Sequence, residues 1–328
     1  MTQDIMIKRR SFSRPFSFPS LPWWFACLAA ATAFLAIANS AFAQKRYNTP
    51  DDAVTALIDA VRAGSPAQLM QVLGPGSEEI VLSGDPVADA ATRTQVLDAY
   101  NAQHQIMLEH QDLAVLVIGQ ENVPFPIPLV RQNNTWRFDA QAGRREIVRR
   151  RTGRNELSAI QTCLTYVGAQ QEYAEKGSAG KGVYAQRFVS RSGEKDGLYW
   201  PVLSDEDESP LGEFAAARAA QGYPVGPQRS PYRGYYYRIL IRQGPNAPGG
   251  QIDYVVGGKM VGGFALVAYP AHYGNSGVMT FLVNHEGNIY EKDLGWRTAA
   301  IASGITSFDP DNTWRRVTAA VPPESGPR

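Results

Sequence analysis

The stretch NELSAIQTCLTYVGAQQEYA, residues 155–174, decides the fold class of this chain. Leu157, Ile160, Leu164 and Val167 recur at intervals of three and four, the spacing of one face of an α-helix. Cys163 and Tyr166 flank that stripe, Asn155 and Glu156 open it, and Gly177 is placed to stop it. Downstream, residues 235–241, 251–256, 263–269, 278–283 and 288–291 are strand-like runs. The turns between them carry their own chemistry in Pro248-Gly249-Gly250, Gly257-Gly258 and Asn284-His285-Glu286-Gly287. The spacing therefore predicts an α+β fold in which a long helix lies on a C-terminal antiparallel sheet.

Upstream, helix signals recur in miniature. Thr49-Pro50-Asp51-Asp52 offers an N-cap, a proline at the first helical position and an acid at N3, and Gly64 ends the apolar series Val54, Leu57, Ile58, Val61. Ser65-Pro66 repeats the arrangement as far as Gly74. A third helix is expected from Asp85-Pro86 to about Leu108, with Val96, Leu97, Tyr100 and Met107 on its buried side. Residues 113–118 read as a strand. Pro124, Pro126 and Pro128 remove N–H donors from one edge of the next segment, so residues 123–130 are an edge strand or a polyproline-like stretch. Asn133-Asn134 then turns the chain into the strand Thr135-Trp136-Arg137-Phe138. A small antiparallel sheet beside helices is expected over residues 44–143, and the helix-plus-sheet domain over 144–320, followed by a disordered tail at 321–328.

The six arginines between residues 143 and 154 form either an anion-binding patch or a solvated helix end paired with Glu146 and Glu156. Residues 176–230 have little periodicity, which implies an ordered loop or short helices.

Residues 1–43 have the three parts of a secretory signal. Lys8, Arg9, Arg10 and Arg14 are basic, residues 23–37 are almost wholly apolar, and Ala41-Phe42-Ala43 supplies the small residues for cleavage between Ala43 and Gln44. Arg9-Arg10-Ser11-Phe12 fits the core of a twin-arginine signal as well as an ordinary basic start. Cleavage takes the net charge from +1 to about −2 and removes Cys27, leaving Cys163 with no intramolecular partner. A near-neutral chain has no electrostatic reason to bind nucleic acid. The expected location is periplasmic or extracellular, in a form that does not span a membrane.

The order of helices and sheet over residues 49–139, ending in Trp136-Arg137-Phe138, resembles nuclear transport factor 2-like proteins. Residues 155–174 and 234–290 resemble the soluble domain of type IV pilins and pseudopilins. The strings Arg151-Thr-Gly-Arg-Asn-Glu-Leu157, Asp196-Gly-Leu-Tyr-Trp-Pro201, Gln243-Gly-Pro-Asn-Ala-Pro-Gly-Gly250 and Gly262-Gly-Phe-Ala-Leu-Val-Ala-Tyr-Pro270 resemble an uncharacterised family of exported bacterial proteins, domain of unknown function 2950. Gly277-Val-Met-Thr-Phe281 and Lys292-Asp-Leu-Gly295 belong to the same resemblance. It implies a bacterial, extracytoplasmic protein and brings no catalytic residue or cofactor.

Chemistry-bearing patterns are sparse. His104 and His110 are six residues apart, too far for one helix face, and His272 and His285 sit in turns without nearby cysteines, so no metal or other cofactor is expected. Cys163 on a buried stripe is inert. The glycine pairs lie between strands, which argues for hairpin turns over a phosphate cradle. Aromatic residues are the stronger signal: Tyr199, Trp200, Tyr223, Tyr232, Tyr235, Tyr236 and Tyr237 crowd one loop and strand. They form either a recognition platform or the core that holds the loop down. The expectation is a non-enzymatic envelope protein that binds a protein or glycan through Tyr199, Trp200, Tyr235, Tyr269 and His272. The competing expectations are an envelope hydrolase built from Asp196, Asp293 and His272, and a pilin-like accessory protein.

Overall fold

The computed structural model describes residues 44–201, 208–224 and 230–318. The expected signal with Ala43, the tail at 321–328 and most of the acidic run at 204–208 lie outside the described residues.

The structure is α+β. Its first part opens with α1 (Pro50–Ala63) and α2 (Pro66–Leu73). Thr49 accepts from the Asp52 N–H while Asp52 accepts from the Thr49 N–H, a complete capping box, and Gly64 ends α1 in the left-handed region. After the single turn α3 (Glu78–Val81) comes α4 (Pro86–Ala102). This third long helix stops six residues short of the expected Leu108 and has no fully buried side chain. Residues His104–His110 instead form β1, which pairs antiparallel with β2 (Leu113–Ile118) in the register Ile106↔Leu116 and Met107↔Val115. Met107 is therefore an exposed strand residue, because continuing α4 would have left the hydrogen-bonding edge of β2 empty. The proline-rich segment supplies β3 (Val123–Pro124) at the other edge of β2, followed there by β4 (Leu129–Gln132), which pairs with β5 (Thr135–Phe138). α1, α2 and the inner face of this sheet enclose one core around Leu57, Leu116, Leu129 and Phe138.

The arginine-rich segment is helix. α5 runs from Ala140 to Lys176, beginning fifteen residues before Asn155, with Asp139 capping its first turn and Gly177 ending it. Arginine is a good helix former, and Glu146 accepts from both Arg149 and Arg150 one turn on. The boundary expected at residues 143–144 thus falls inside a continuous helix. Of the expected stripe Ile160 and Val167 are buried, but Leu157 and Leu164 are exposed and Cys163, Tyr166, Gln170 and Tyr173 take their place on the buried side.

Gly143 decides how closely α5 approaches the first sheet. A Cβ there would lie 2.2 Å from the Pro126 carbonyl oxygen and 3.3 Å from Ile127. Helix propensity alone predicts that Gly143→Ala stabilises by up to ~1 kcal/mol. Overpacking against a backbone oxygen costs ~1–3 kcal/mol and prevails. Gly143→Ala should therefore unfold at a lower urea concentration, and a raised midpoint would refute this packing.

The second part is a five-stranded antiparallel sheet ordered β14 (Arg315–Arg316), β13 (Ile289–Asp293), β12 (Met279–Asn284), β11 (Ala265–Pro270) and β6 (Tyr235–Leu240). α5 and α7 (Thr298–Gly304) pack against it. The run expected as one strand at 251–256 does not join this sheet. It divides into β8 (Ile252–Asp253), which pairs with β7 (Arg242–Gln243), and β9 (Val255–Val256), which pairs with β10 (Lys259–Met260). Gly257 and Gly258, both at positive φ, form the two-residue hairpin between β9 and β10. The core here contains Tyr166, Tyr173, Trp200, Tyr235, Tyr254 and Phe281. The described residues from Gln44 onward fall into one compact unit containing both cores.

Polar bonds join the cores. The Arg151 guanidinium donates to the Glu79 and Ile80 carbonyls and to Asn275. Glu156 accepts from the Val278 and Met279 N–H groups, and Asp85 accepts from Tyr223 and Gly234. No helix among the described residues is long and apolar enough to cross a membrane.

Candidate functional site

β6 is the edge strand of the second sheet, and the parity of its bonds shows where its main chain points. The Ala271 N–H donates to the Gly234 carbonyl, directly opposite in the β6–β11 register. Directly opposed residues in an antiparallel pair alternate between bonded and non-bonded. The main-chain groups of Tyr236, Arg238 and Leu240 therefore point to β11, and those of Tyr235, Tyr237 and Ile239 point away from it. Tyr235 agrees, exchanging both bonds with Tyr232 on the outer side. Beyond it, no described strand pairs with the outer edge at Tyr237 and Ile239.

A cavity of about 420 Å³ runs along this edge. α5 contributes Thr162 and Tyr166, residues 186–189 contribute Arg187 and Phe188, and α6 (Gly212–Ala220) contributes Phe214 and Arg218. Both faces of β6 reach it, Tyr237 and Ile239 on one side and Tyr236 and Arg238 on the other, with Tyr269 beside Tyr236. The walls are mainly aromatic and aliphatic, yet the described lining residues include three arginines and no carboxylate.

Two buried guanidinium nitrogens on residues of this lining have no hydrogen-bond partner, Arg218 Nε and Arg238 Nε. The Arg218 guanidinium lies over the Tyr232 ring at 4.8 Å and the Phe214 ring at 5.9 Å. Those π-faces supply part of the stabilisation that water would otherwise give. Burial nevertheless pulls the Arg218 pKa below its usual value. Arg238 spends its terminal nitrogens on the carbonyls of Ala302, Ser303 and Ile305 at the end of α7, which leaves its buried Nε without a partner. Burial raises the Tyr237 phenol above the ordinary tyrosine value. Arg187, by contrast, is paired with Asp196. Two guanidinium groups with an unused nitrogen beside one cavity make a place suited to an anion, since each lost water bond costs ~1–3 kcal/mol until something replaces it.

The residues singled out in the sequence separate into three environments. Tyr199 and Tyr269 line the cavity. Trp200 and Tyr235 do not form a surface; both are core, Trp200 edge-on to Tyr173 and Tyr235 bonded to the Met279 carbonyl. The apolar content of these side chains is better satisfied by burial than by exposure. His272 is exposed and lines a second, more open depression with Glu79, Tyr273 and Trp296. Trp296 is 83% exposed and was not singled out by pattern, because one tryptophan in a turn has no periodicity. Asp196 accepts from Arg191, and Asp293 accepts from Tyr273 and the Gly295 N–H. No hydrogen bond or ion pair joins Asp196, Asp293 and His272 among the described residues. Burial pushes the Cys163 thiol up to about 12, so it is neutral and unreactive at physiological pH. Among the described residues no group of three or more His, Cys, Asp or Glu is placed to hold a metal ion. Arg218 is a cavity residue that the sequence did not single out; its signal is an unpartnered nitrogen, which only coordinates reveal.

No curated protein and no solved structure matches this chain, so neither the nuclear transport factor 2-like nor the pilin-like resemblance acquires a structural counterpart. A family pattern matches residues 44–317, and the chain belongs to that family, described as a protein of unknown function (DUF2950).

Proposed function

We propose that this is an exported, non-enzymatic binding protein of the cell envelope whose site is the cavity along β6. The captured group carries negative charge on a partly apolar body. The supporting observation is an aromatic-lined cavity whose described residues include Arg187, Arg218 and Arg238 and no carboxylate, with Arg218 Nε and Arg238 Nε unpartnered. An enclosed, mostly apolar cavity with a few convergent polar groups is the usual form of a binding site. Export rests on the basic, apolar and small-residue segments of residues 1–43, and the family pattern begins at Gln44, the first residue after the expected cut.

The test is thermal stabilisation of the purified protein by organic anions. A ligand at 100 times its Kd adds ~2.7 kcal/mol to stability. Aryl and alkyl carboxylates should raise the melting temperature, and their neutral amides should not. Arg218→Gln should abolish the response while shifting the stability of the unliganded protein by no more than ~1 kcal/mol, because what it removes is a partly compensated buried charge. Equal responses to acids and amides would defeat the assignment. Export has its own readout: protein recovered from the envelope should begin at Gln44, and an intact Met1 there would contradict it.

A further inference from the structure

The outer edge of β6 carries more information than the charge of the cavity. Tyr237 and Ile239 each direct an N–H and a carbonyl away from β11, and their spacing along the strand is ~6.6 Å, two residues of ~3.3 Å rise. A sugar or a simple carboxylate has no matching row of alternating donors and acceptors. The backbone of an extended peptide does. The cavity also borders both faces of β6, with Tyr237, Ile239 and Phe188 lining it as well as Tyr236, Arg238 and Tyr269. Alternate side chains of a strand laid along this edge would fall on these two walls.

We propose that the occupant is an extended peptide of an envelope protein, added as a sixth strand beside β6, with one of its carboxylates held by the Arg218 guanidinium. This rests on reading the cavity as the binding site. Four main-chain hydrogen bonds to Tyr237 and Ile239 give affinity without regard to sequence, and the aromatic and cationic walls select side chains. Charge favours an acidic peptide, since Arg218 has an unpartnered nitrogen and no carboxylate appears among the described lining residues. Residues 186–189 and α6 contribute the flanking walls of the same cavity, which guards the edge against open-ended association.

Three probes separate the possibilities: a library of six-residue peptides containing one Asp or Glu, an oligomer of uronic acid, and 4-phenylbutyrate. The acidic peptides should be retained by the purified protein, and their Asn/Gln counterparts should not. Bound peptide should slow amide hydrogen exchange at Tyr237 and Ile239 by about tenfold or more, while Arg238, already bonded to β11, shows no added protection. Ile239→Pro deletes an outward donor that β6–β11 pairing does not use, as an edge strand permits. It should weaken the peptide about tenfold, the loss expected for one such bond, and leave phenylbutyrate bound. N-methylation of the facing peptide nitrogen on the native protein should weaken binding to the same extent, independently of how that variant folds. If phenylbutyrate or the uronic acid oligomer binds through Arg218 while no peptide is retained, or if Tyr237 and Ile239 exchange is unchanged, strand addition is wrong and the cavity assignment stands. If none of the three probes binds, both fail together.

Discussion

Asp85→Ala should lose about 4 kcal/mol of stability, a large part of the ~5–15 kcal/mol that holds a typical domain folded. Asp85 is 1% exposed and lies at the N-cap of α4. One carboxylate oxygen accepts from the Ala88 N–H at 3.1 Å, capping the helix. The other accepts from the Tyr223 hydroxyl and the Gly234 N–H, each at 2.8 Å. The Arg233 N–H in turn donates to the Tyr223 oxygen at 3.2 Å. Burial, and then the Asp85 charge, raise the Tyr223 phenol well above its ordinary value, so it remains a donor under all ordinary conditions. Alanine strands three buried donors at once, in two regions far apart in sequence. Asn keeps the shape and one acceptor but turns an NH₂ toward one donor, so Asp85→Asn should lose roughly half as much. Urea titration measures both. A loss below about 1 kcal/mol for the alanine variant would mean that water replaces the carboxylate, contrary to a closed network.

Arg151→Ala is the second large effect, at about 3 kcal/mol, within the range for removing one member of a buried, charge-assisted set. Its Nη1 donates to the Glu79 carbonyl at 2.6 Å and to Asn275 Oδ1 at 2.8 Å, and its Nη2 to the Ile80 carbonyl at 2.8 Å. α3 is a single turn, so its final carbonyls have no partner within the helix. Arg151 satisfies two of them, and Asn275 also donates to the Leu82 carbonyl just beyond. Burial disfavours the guanidinium charge, and nearby Asp89 partly restores it. Lysine offers a point charge without the planar fork, so Arg151→Lys should recover less than half of the loss. In a double-mutant cycle with Asn275→Ala, a coupling of about 1 kcal/mol or more is expected. Additivity would show that the two side chains act separately.

These two residues also show the limit of pattern reading. Within the arginine-rich segment, periodicity gives no helix because α5 buries few apolar side chains between residues 144 and 157. That stretch is held instead by bonds from Arg144 to Glu79 and from Arg151 to carbonyls some seventy residues away. Hydrophobic pattern cannot report a helix anchored by distant oxygen atoms. The same reason misplaces the end of α4. Residues 104–110 fit either a helix face or a strand, and the open edge of β2 settles the choice.

Caps and turns were legible because their physics is local. The Thr49–Asp52 box, the left-handed glycines Gly64 and Gly177 and the Gly257-Gly258 hairpin depend on neighbours within a few residues, and short-range sterics and hydrogen bonds select them. The α+β class followed from those signals together with strand and helix spacing. Which aromatics are buried, which arginines lack partners and where β6 leaves its peptide groups unpaired are set by contacts between residues tens to hundreds of positions apart. Trp200 and Tyr235 entered the core while Tyr199 and Tyr269 lined the cavity, although all four carry similar chemistry. Side-chain type supplies the affinity for apolar surroundings, but only the packed chain decides which surroundings each ring meets.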